Sequence, residues 1–430
     1  MTPATDRTLL FLLLAGLSAA AAPARAQLTP TTIASLPSGV GGATPFGGVT
    51  FDASGNLFGT TYSGGASGNG TVYEVVKGSG TTVTIASFTG ANGANPFSGV
   101  TFDKSGNLFG TTELGGASGS GTVYEIAKGS STIVTLDSFN GANGRIPSGN
   151  ITFDSDGNLF GNSRGGGASN GGTIYEIAKG STKIVPLASF TAASGINPFG
   201  GITFDSIGNI FGATAGGGAA NSGTVFELVK GGTTISALDS FTGANGLYAF
   251  GGVTFDSSGN LFGTTNQGGK AGGGGTVYEI AKGSTKIKTL ASFDGIIANG
   301  PDSAVTFDGA GNLFGTTPSG GSSNYGTVYE FSSSELSKTK PAFTIVANFD
   351  PSSGRGPVAG VTFDTAGNLF GTTNQGGAFN AGTVYELAGV GAPAPIPETS
   401  TAVSLGLLVS LGGGGLLWRS RRRASAAPAA

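Results

Sequence analysis

The sequence predicts an all-β fold: a seven-bladed β-propeller of four-stranded antiparallel blades. Three observations predict it. The stretch Gly48-Val49-Thr50-Phe51-Asp52-Ala53-Ser54-Gly55-Asn56-Leu57-Phe58-Gly59-Thr60-Thr61 recurs seven times in 430 residues. Its Phe-Asp pair starts at Phe51, Phe102, Phe153, Phe204, Phe255, Phe307 and Phe363, at spacings of 51, 51, 51, 51, 52 and 56 residues. A period near 50 with several short strands per unit suits a propeller blade, whereas a solenoid coil needs far fewer residues per turn. Finally, a copy of the unit's fourth strand precedes the first unit. The ring is therefore expected to close with an N-terminal outer strand in the last blade.

Within the unit, strand a is Gly48 to Phe51, b is Asn56 to Thr61, c is Gly70 to Val76 and d is Thr82 to Phe88. All four are rich in Val, Ile, Phe, Tyr and Thr, which pack well on a pleated surface. The a–b link, Asp-x-x-Gly-Asn, reads as a tight turn: Asp bonds its own backbone and Gly accepts positive φ. Lys77-Gly78-Ser79-Gly80 makes a similar c–d turn. The b–c link (62–69) and the blade-to-blade link (89–98) are longer and rich in Gly, Asn and Ser. Alternate connections of an antiparallel blade emerge at the same end. One face of the disc is therefore tight and charged, the other loose and nearly neutral.

Phe51 and Phe58 have counterparts in every repeat, and strand d ends in Phe88, Phe139, Phe190, Phe241, Phe293 and Phe349. These 20 of the 29 Phe are expected between blades. Gly59 and its equivalents inside strand b suggest a bulge or a close backbone approach, placed where blades converge on the axis. Seven a, b and c strands leave the last repeat without a d strand. Thr31 to Leu36 resembles Val83 to Phe88 and is expected to fill that vacancy, beside Gly382 to Leu387, removing a free edge.

The chain has 82 Gly, no Cys and no His. That excludes disulfides, thiolate metal sites, Cys catalysis and His-based triads. No cofactor or metal is expected. Six of the 21 basic residues and two of the 24 acidic ones lie outside 27–390, so the propeller is mildly acidic and nucleic acid is not a partner.

Residues 1–26 read as a signal peptide, with Arg7, the apolar run Leu9 to Leu17, and an Ala24-Arg25-Ala26 cleavage site before Gln27. Residues 27–390 are the propeller and 391–430 a linker and tail. The tail holds Pro397-Glu398-Thr399, an apolar helix at 401–418 and Arg419, Arg421, Arg422 and Arg423. That helix is about 27 Å long at 1.5 Å per residue, just enough to span a bilayer. The arginines should stay cytoplasmic, leaving the propeller outside.

The order of motif, apolar helix and terminal arginines resembles the PEP-CTERM sorting signal of Gram-negative bacteria, with Thr399 where that family has a second proline. The resemblance implies a transient or retained membrane anchor, an exosortase-type enzyme as partner, and release to the surface or the exopolysaccharide matrix. The repeats resemble the GloVer (Gloeobacter–Verrucomicrobium) tandem repeat. Its pattern of Asp-x-x-Gly-Asn-aromatic-Gly-Thr-Thr, Gly-Gly and Gly-Thr-Val-aromatic is met at Asp103 to Thr112, Gly115-Gly116 and Gly121 to Tyr124. That resemblance covers nearly all of 31–388 and implies export and repeat architecture, without implying an activity.

Fourteen of the 24 acids repeat seven-fold: the Asp after each strand-a Phe, and Glu74 and its counterparts on strand c. A catalytic pair occurs once, so seven copies point to turn capping or strand pairing. Asp154-Ser155-Asp156-Gly157-Asn158 begins like a Ca²⁺ loop, but its Gly is fourth rather than sixth, and no Glu stands at position twelve; it reads as a turn. Lys77 and its counterparts share the tight face with the Asp residues as a mixed-charge rim. On the loose face, Phe46, Phe97, Phe199 and Phe250 sit in the inter-blade links, with Tyr62 and Tyr248 nearby. Buried, they would plug gaps between blades; exposed, they would suit sugar or protein contacts, and they are the binding candidates.

The functional expectation is an exported surface or matrix protein that binds polysaccharide or protein, without catalysis. The alternative is a propeller hydrolase or lyase using acids outside the repeat pattern, Glu113, Asp302 or Asp350, with Glu113 the most suggestive.

Overall fold

The computed structural model describes residues 27–270 and 272–393. The expected signal segment with Ala24 and Ala26 lies outside them, as do Pro397-Glu398-Thr399, the apolar run 401–418 and the terminal arginines. Seven four-stranded antiparallel sheets form the blades. In blade 1 the order from the axis outward is Thr50–Phe51, Leu57–Thr61, Thr71–Val75 and Thr82–Ser87. A helix, Ser333–Leu336, occupies the longer c–d loop of blade 6. No described helix is long and apolar enough to cross a membrane.

Strand a is shorter than expected, two residues instead of four. The glycines before it serve inter-blade contact instead of pairing. A Cβ on Gly47 would lie 2.3 Å from the Gly99 nitrogen, and one on Gly48 2.9 Å from the Gly360 oxygen. The a–b turn is capped as its sequence implies. Asp52 Oδ1 accepts from the Ser54 and Asn56 N–H groups, and Oδ2 from Asn56 Nδ2. Asn56 Oδ1 then accepts from the Lys77 N–H, tying the a–b turn to the c–d turn. Asp154 caps its turn in the same way, through Asp156 N–H, Asn158 N–H and Asn158 Nδ2.

Two rings of aromatic pairs join the blades. The strand-b Phe of each blade meets the strand-a Phe of the next edge to face, from Phe58–Phe102 round to Phe370–Phe51, with centroids 5.1 to 5.2 Å apart. The strand-d Phe meets the strand-c aromatic of the next blade at 4.8 to 5.2 Å. At the closing junction Leu36 takes the phenylalanine's place in the cluster around Tyr73. Each such pair contributes about 0.5–1.5 kcal/mol beyond area burial.

The strand-b glycine has a different cause from the expected approach to the axis. The ring of the strand-c tyrosine in the same blade lies across it. A Cβ on Gly59 would sit 2.5 Å from Tyr73 Oη, and one on Gly212 2.5 Å from Phe226 Cζ. The two threonines after it have separate tasks. Thr60 Oγ1 donates to the Ser98 carbonyl in the link to blade 2, while Thr61 Oγ1 bonds Thr71 Oγ1 across the b–c pair. Every c–d pair carries a register shift after the second strand-c residue, as between Val72 and Tyr73. Such bulges increase local twist.

The ring closes as the strand count requires. Thr31–Ser35 pairs antiparallel with Thr383–Leu387 as the outer strand of the last blade. Beyond that blade the chain continues on the propeller surface, with Gly391 N–H donating to the Gly367 carbonyl and Ala392 N–H to Asp308 Oδ2.

Candidate functional site

The repeats agree wherever blades pack and turn. They diverge around the loose-face end of the axis. The residue just before each Gly-Gly (or equivalent) pair of the link forms an inner ring: Phe46, Phe97, Ser148, Phe199, Phe250, Asp302 and Val358. All seven line one axial cavity of about 340 Å³. Phe46, Phe97, Phe199 and Phe250 do not plug gaps between blades. They touch one another at the mouth, half-buried. Phe46 stacks on Phe97 at 4.9 Å, Phe97 meets Phe199 edge-on at 5.1 Å, and Phe199 meets Phe250 at 5.0 Å. The Phe97–Phe199 contact spans blade 3, where the ring position is the small, buried Ser148.

An outer ring stands four residues after the strand-b Phe: Tyr62, Glu113, Arg164, Ala215, Asn266, Pro318 and Asn374. Several of these reach the inner-ring residue of the next blade, with matched chemistry. Tyr62 packs edge-on against Phe97 at 6.3 Å and Phe46 at 5.3 Å. Ser148 Oγ donates to Glu113 Oε1 at 3.2 Å. The Arg164 guanidinium lies over the Phe199 ring, 4.2 Å from its centroid, and bonds Glu113 Oε1 at 3.4 Å. Asn266 Nδ2 donates to Asp302 Oδ1 at 2.6 Å. Tyr248 lies parallel to Phe250 at 6.1 Å and is 39% exposed.

The backbone beneath holds these rings at some cost. Outer-ring N–H groups of Tyr62, Glu113 and Arg164 donate to the carbonyls of Thr44, Asn95 and Ile146. Those carbonyl-bearing residues are left-handed, with φ of 54°, 57° and 56°. For β-branched Thr44 and Ile146 this conformation costs roughly 1–2 kcal/mol each. The same left-handed position recurs at Asn197, Tyr248, Gly300 and Gly356, so it belongs to the link of every blade.

Burial raises the pKa of Glu113, and Arg164 and Ser148 pull it back. Burial pushes Asp302 up to about 6, with Asn266 opposing. The third acid, Asp350, does not join them. Its carboxylate accepts from the Ser352 and Ser353 hydroxyls and N–H groups, which hold it ionised below the usual range.

The six aromatic candidates thus come together at one mouth. Sequence reasoning missed Ser148, Val358, Arg164 and Asn266. The signal was available: these are columns where repeats change type between constant Pro and Gly positions. Among the described residues no group of three or more His, Cys, Asp or Glu is placed to hold a metal ion.

Seven blades with a variable, aromatic axial mouth define a propeller repeat protein. The chain belongs to the family described as the Gloeobacter/Verrucomicrobia repeat, which it matches over residues 22–206 and 202–392. No curated protein matches it. Among solved structures it is similar to the extracellular domain of a putative hybrid two-component system from B. thetaiotaomicron, at 11% identity and a TM-score of 0.54, over 83% of this chain and 39% of that one. A second structure, described as the extracellular domain of a putative one-component system from the same organism, gives 10% identity and the same TM-score and coverage. The chain therefore spans well under half the length of those proteins, and the likeness is one of fold. A gluconolactonase from Xanthomonas campestris is more distant, at 14% identity and a TM-score of 0.41, over 67% of this chain and 87% of that one.

Proposed function

We propose that the protein is an exported surface or matrix component that binds a neutral glycan at the loose-face mouth of its axis, without catalysis. The observation that carries this reading is the arc of four half-buried Phe rings around an open cavity, flanked by Tyr62 and Tyr248. The apolar faces of sugar rings pack on such aromatic surfaces, while the hydroxyls of Tyr62 and Tyr248 beside them offer hydrogen bonds to sugar hydroxyls. Among the residues that line the cavity the charged one is Asp302, and a carboxylate there disfavours acidic glycans. Export is supported by the segment 1–26, and passage through a sorting enzyme by the tail from Pro397. Extracellular protein from a Gram-negative host with that enzyme should end near Glu398 in intact-mass analysis; retention of Trp418 and the arginines would mean a plain membrane anchor.

A second reading is hydrolysis of the bound glycan, favoured by Asp302, whose pKa of about 6 suits a general acid. Against it, both acids at the mouth are held by fixed partners. A glycan array on the purified protein, with hydrolysis assays in parallel, tests both readings. Saturable binding to neutral glycans without product is expected. Turnover would replace the binding reading with the hydrolytic one.

A further inference from the structure

The tight face carries a second, repeated feature that does not depend on the mouth. At each of four consecutive junctions, from blade 1 to blade 5, a cleft opens between the Asp turn of one blade and the c–d turn of the next. Their volumes are about 730, 620, 610 and 480 Å³ in order. Each is floored by the strand-a phenylalanines and edged by Asp and Lys.

At the junction of blades 6 and 7 the chain itself occupies the equivalent place. The outer strand of that blade is Thr31–Ser35, and after Leu387 the chain crosses the junction instead. Gly391 passes over the Phe363 ring so closely that a Cβ there would lie 2.5 Å from Phe363 Cε1. Ala392 N–H donates to Asp308 Oδ2 at 2.8 Å, and its carbonyl accepts from the Gly309 N–H at 3.4 Å. Asp308 is thereby buried to 8% exposure. The acceptor and donor that hold Ala392 are repeat features: an Asp whose Oδ2 already takes its own Asn amide, and the N–H of the following residue. Asp52, Asp103, Asp154 and Asp205 present the same pair to the four open clefts.

We propose that these four clefts bind extended peptide segments rich in glycine and alanine. Gly391 and Ala392 show the mode. A glycine is required over the phenylalanine ring, because any side chain would collide with it. The next residue makes a two-point backbone pairing with the Asp carboxylate and the neighbouring N–H, so affinity comes from main chain and specificity from the steric limit. Four clefts in sequence suit a repetitive ligand, since linked segments bind with much higher avidity than single ones.

The probe is a synthetic peptide Gly-Val-Gly-Ala-Pro, as one copy and as four tandem copies joined by flexible spacers, titrated calorimetrically into the full chain. The single copy should bind in roughly the millimolar range and the tandem at least about 100-fold more tightly. Replacing the second glycine of each copy by valine should abolish binding. Ser105 lines both of the first two clefts and gives its turn only a backbone N–H, so Ser105→Trp should preserve the fold and weaken the tandem peptide about tenfold or more. No saturable binding of the tandem peptide would overturn the proposal. So would equal binding of the valine peptide, or indifference to Ser105→Trp. Glycan binding at the mouth is a separate measurement, and its outcome leaves this one unaffected.

Discussion

At the scale of single residues, the strand-b glycine and the strand-c tyrosine form one steric unit. Gly110→Ala should cost about 1–3 kcal/mol by overpacking, because the new methyl would lie 2.4 Å from Tyr124 Oη. The tyrosine hydroxyl is a different matter. Among the described residues, the buried hydroxyls of Tyr73, Tyr124, Tyr175, Tyr278, Tyr329 and Tyr385 have no hydrogen-bond partner, and blade 4 already has Phe226 at this position. Tyr124→Phe should therefore change stability by less than about 0.5 kcal/mol, or raise it. Chemical denaturation of the two variants separates ring packing from hydroxyl chemistry. A second residue carries a pH signature. Asp302 has its pKa raised to about 6 from 3.8, so the folded protein holds this proton more tightly than the unfolded chain does. Ionisation then costs stability, and the cost grows as pH rises from about 4 to about 6 and is complete above that. Asp302→Asn should melt higher than the parent at pH 7 and equal it below pH 4. A melting difference that is constant across pH would mean Asp302 titrates normally.

At the scale of elements, most of the blade is legible because short-range chemistry fixes it. Asp-x-x-Gly-Asn announces its turn through Asp52 and Asn56, and β-branched and aromatic runs announce b, c and d. Strand a is less legible: Gly48 and Val49 look like strand, yet glycine there serves a tertiary approach between blades that one repeat cannot reveal. The c–d bulge left no sequence signal either, since the skipped residue, Ile85 in blade 1, is as strand-like as its neighbours. The closing strand is the opposite case, because counting strands predicts it. Thr31–Ser35 also couples the start of the described chain to its last blade, since opening the ring at that junction breaks this ladder. Leu36 N–H adds a bond to the Gly382 carbonyl, and Leu36 itself is fully buried against the first blade. Deleting residues 27–37 should destabilise the whole propeller by several kcal/mol, at about 1 kcal/mol per lost hydrogen bond plus the buried side chain. An unchanged thermal midpoint for the deletion would mean that the last blade stands without its outer strand.

At the scale of the whole molecule, repetition builds the scaffold, and departure from repetition shapes the axial mouth. The sequence singles out Phe46, Phe97, Phe199 and Phe250 as unusual, but not their meeting at the axis, which depends on the blades forming a closed ring. It singles out Glu113 and Asp302 as acids outside the pattern, but not their fixed partners, because Ser148 and Asn266 are 35 and 36 residues away in the chain. The tight face shows the reverse: strict repetition of Asp and Phe yields a row of equivalent clefts. The most direct test of the central claim is the affinity of the best array glycan for the parent protein and for Phe199→Ala. That ring touches Phe97, Phe250 and Arg164, and it lies at the mouth instead of between blades. The variant should keep the parent's melting temperature within a few degrees and lose affinity about tenfold or more, corresponding to roughly 1.4 kcal/mol or more. A glycan bound equally well by parent and variant would place the ligand elsewhere and contradict the axial-mouth site.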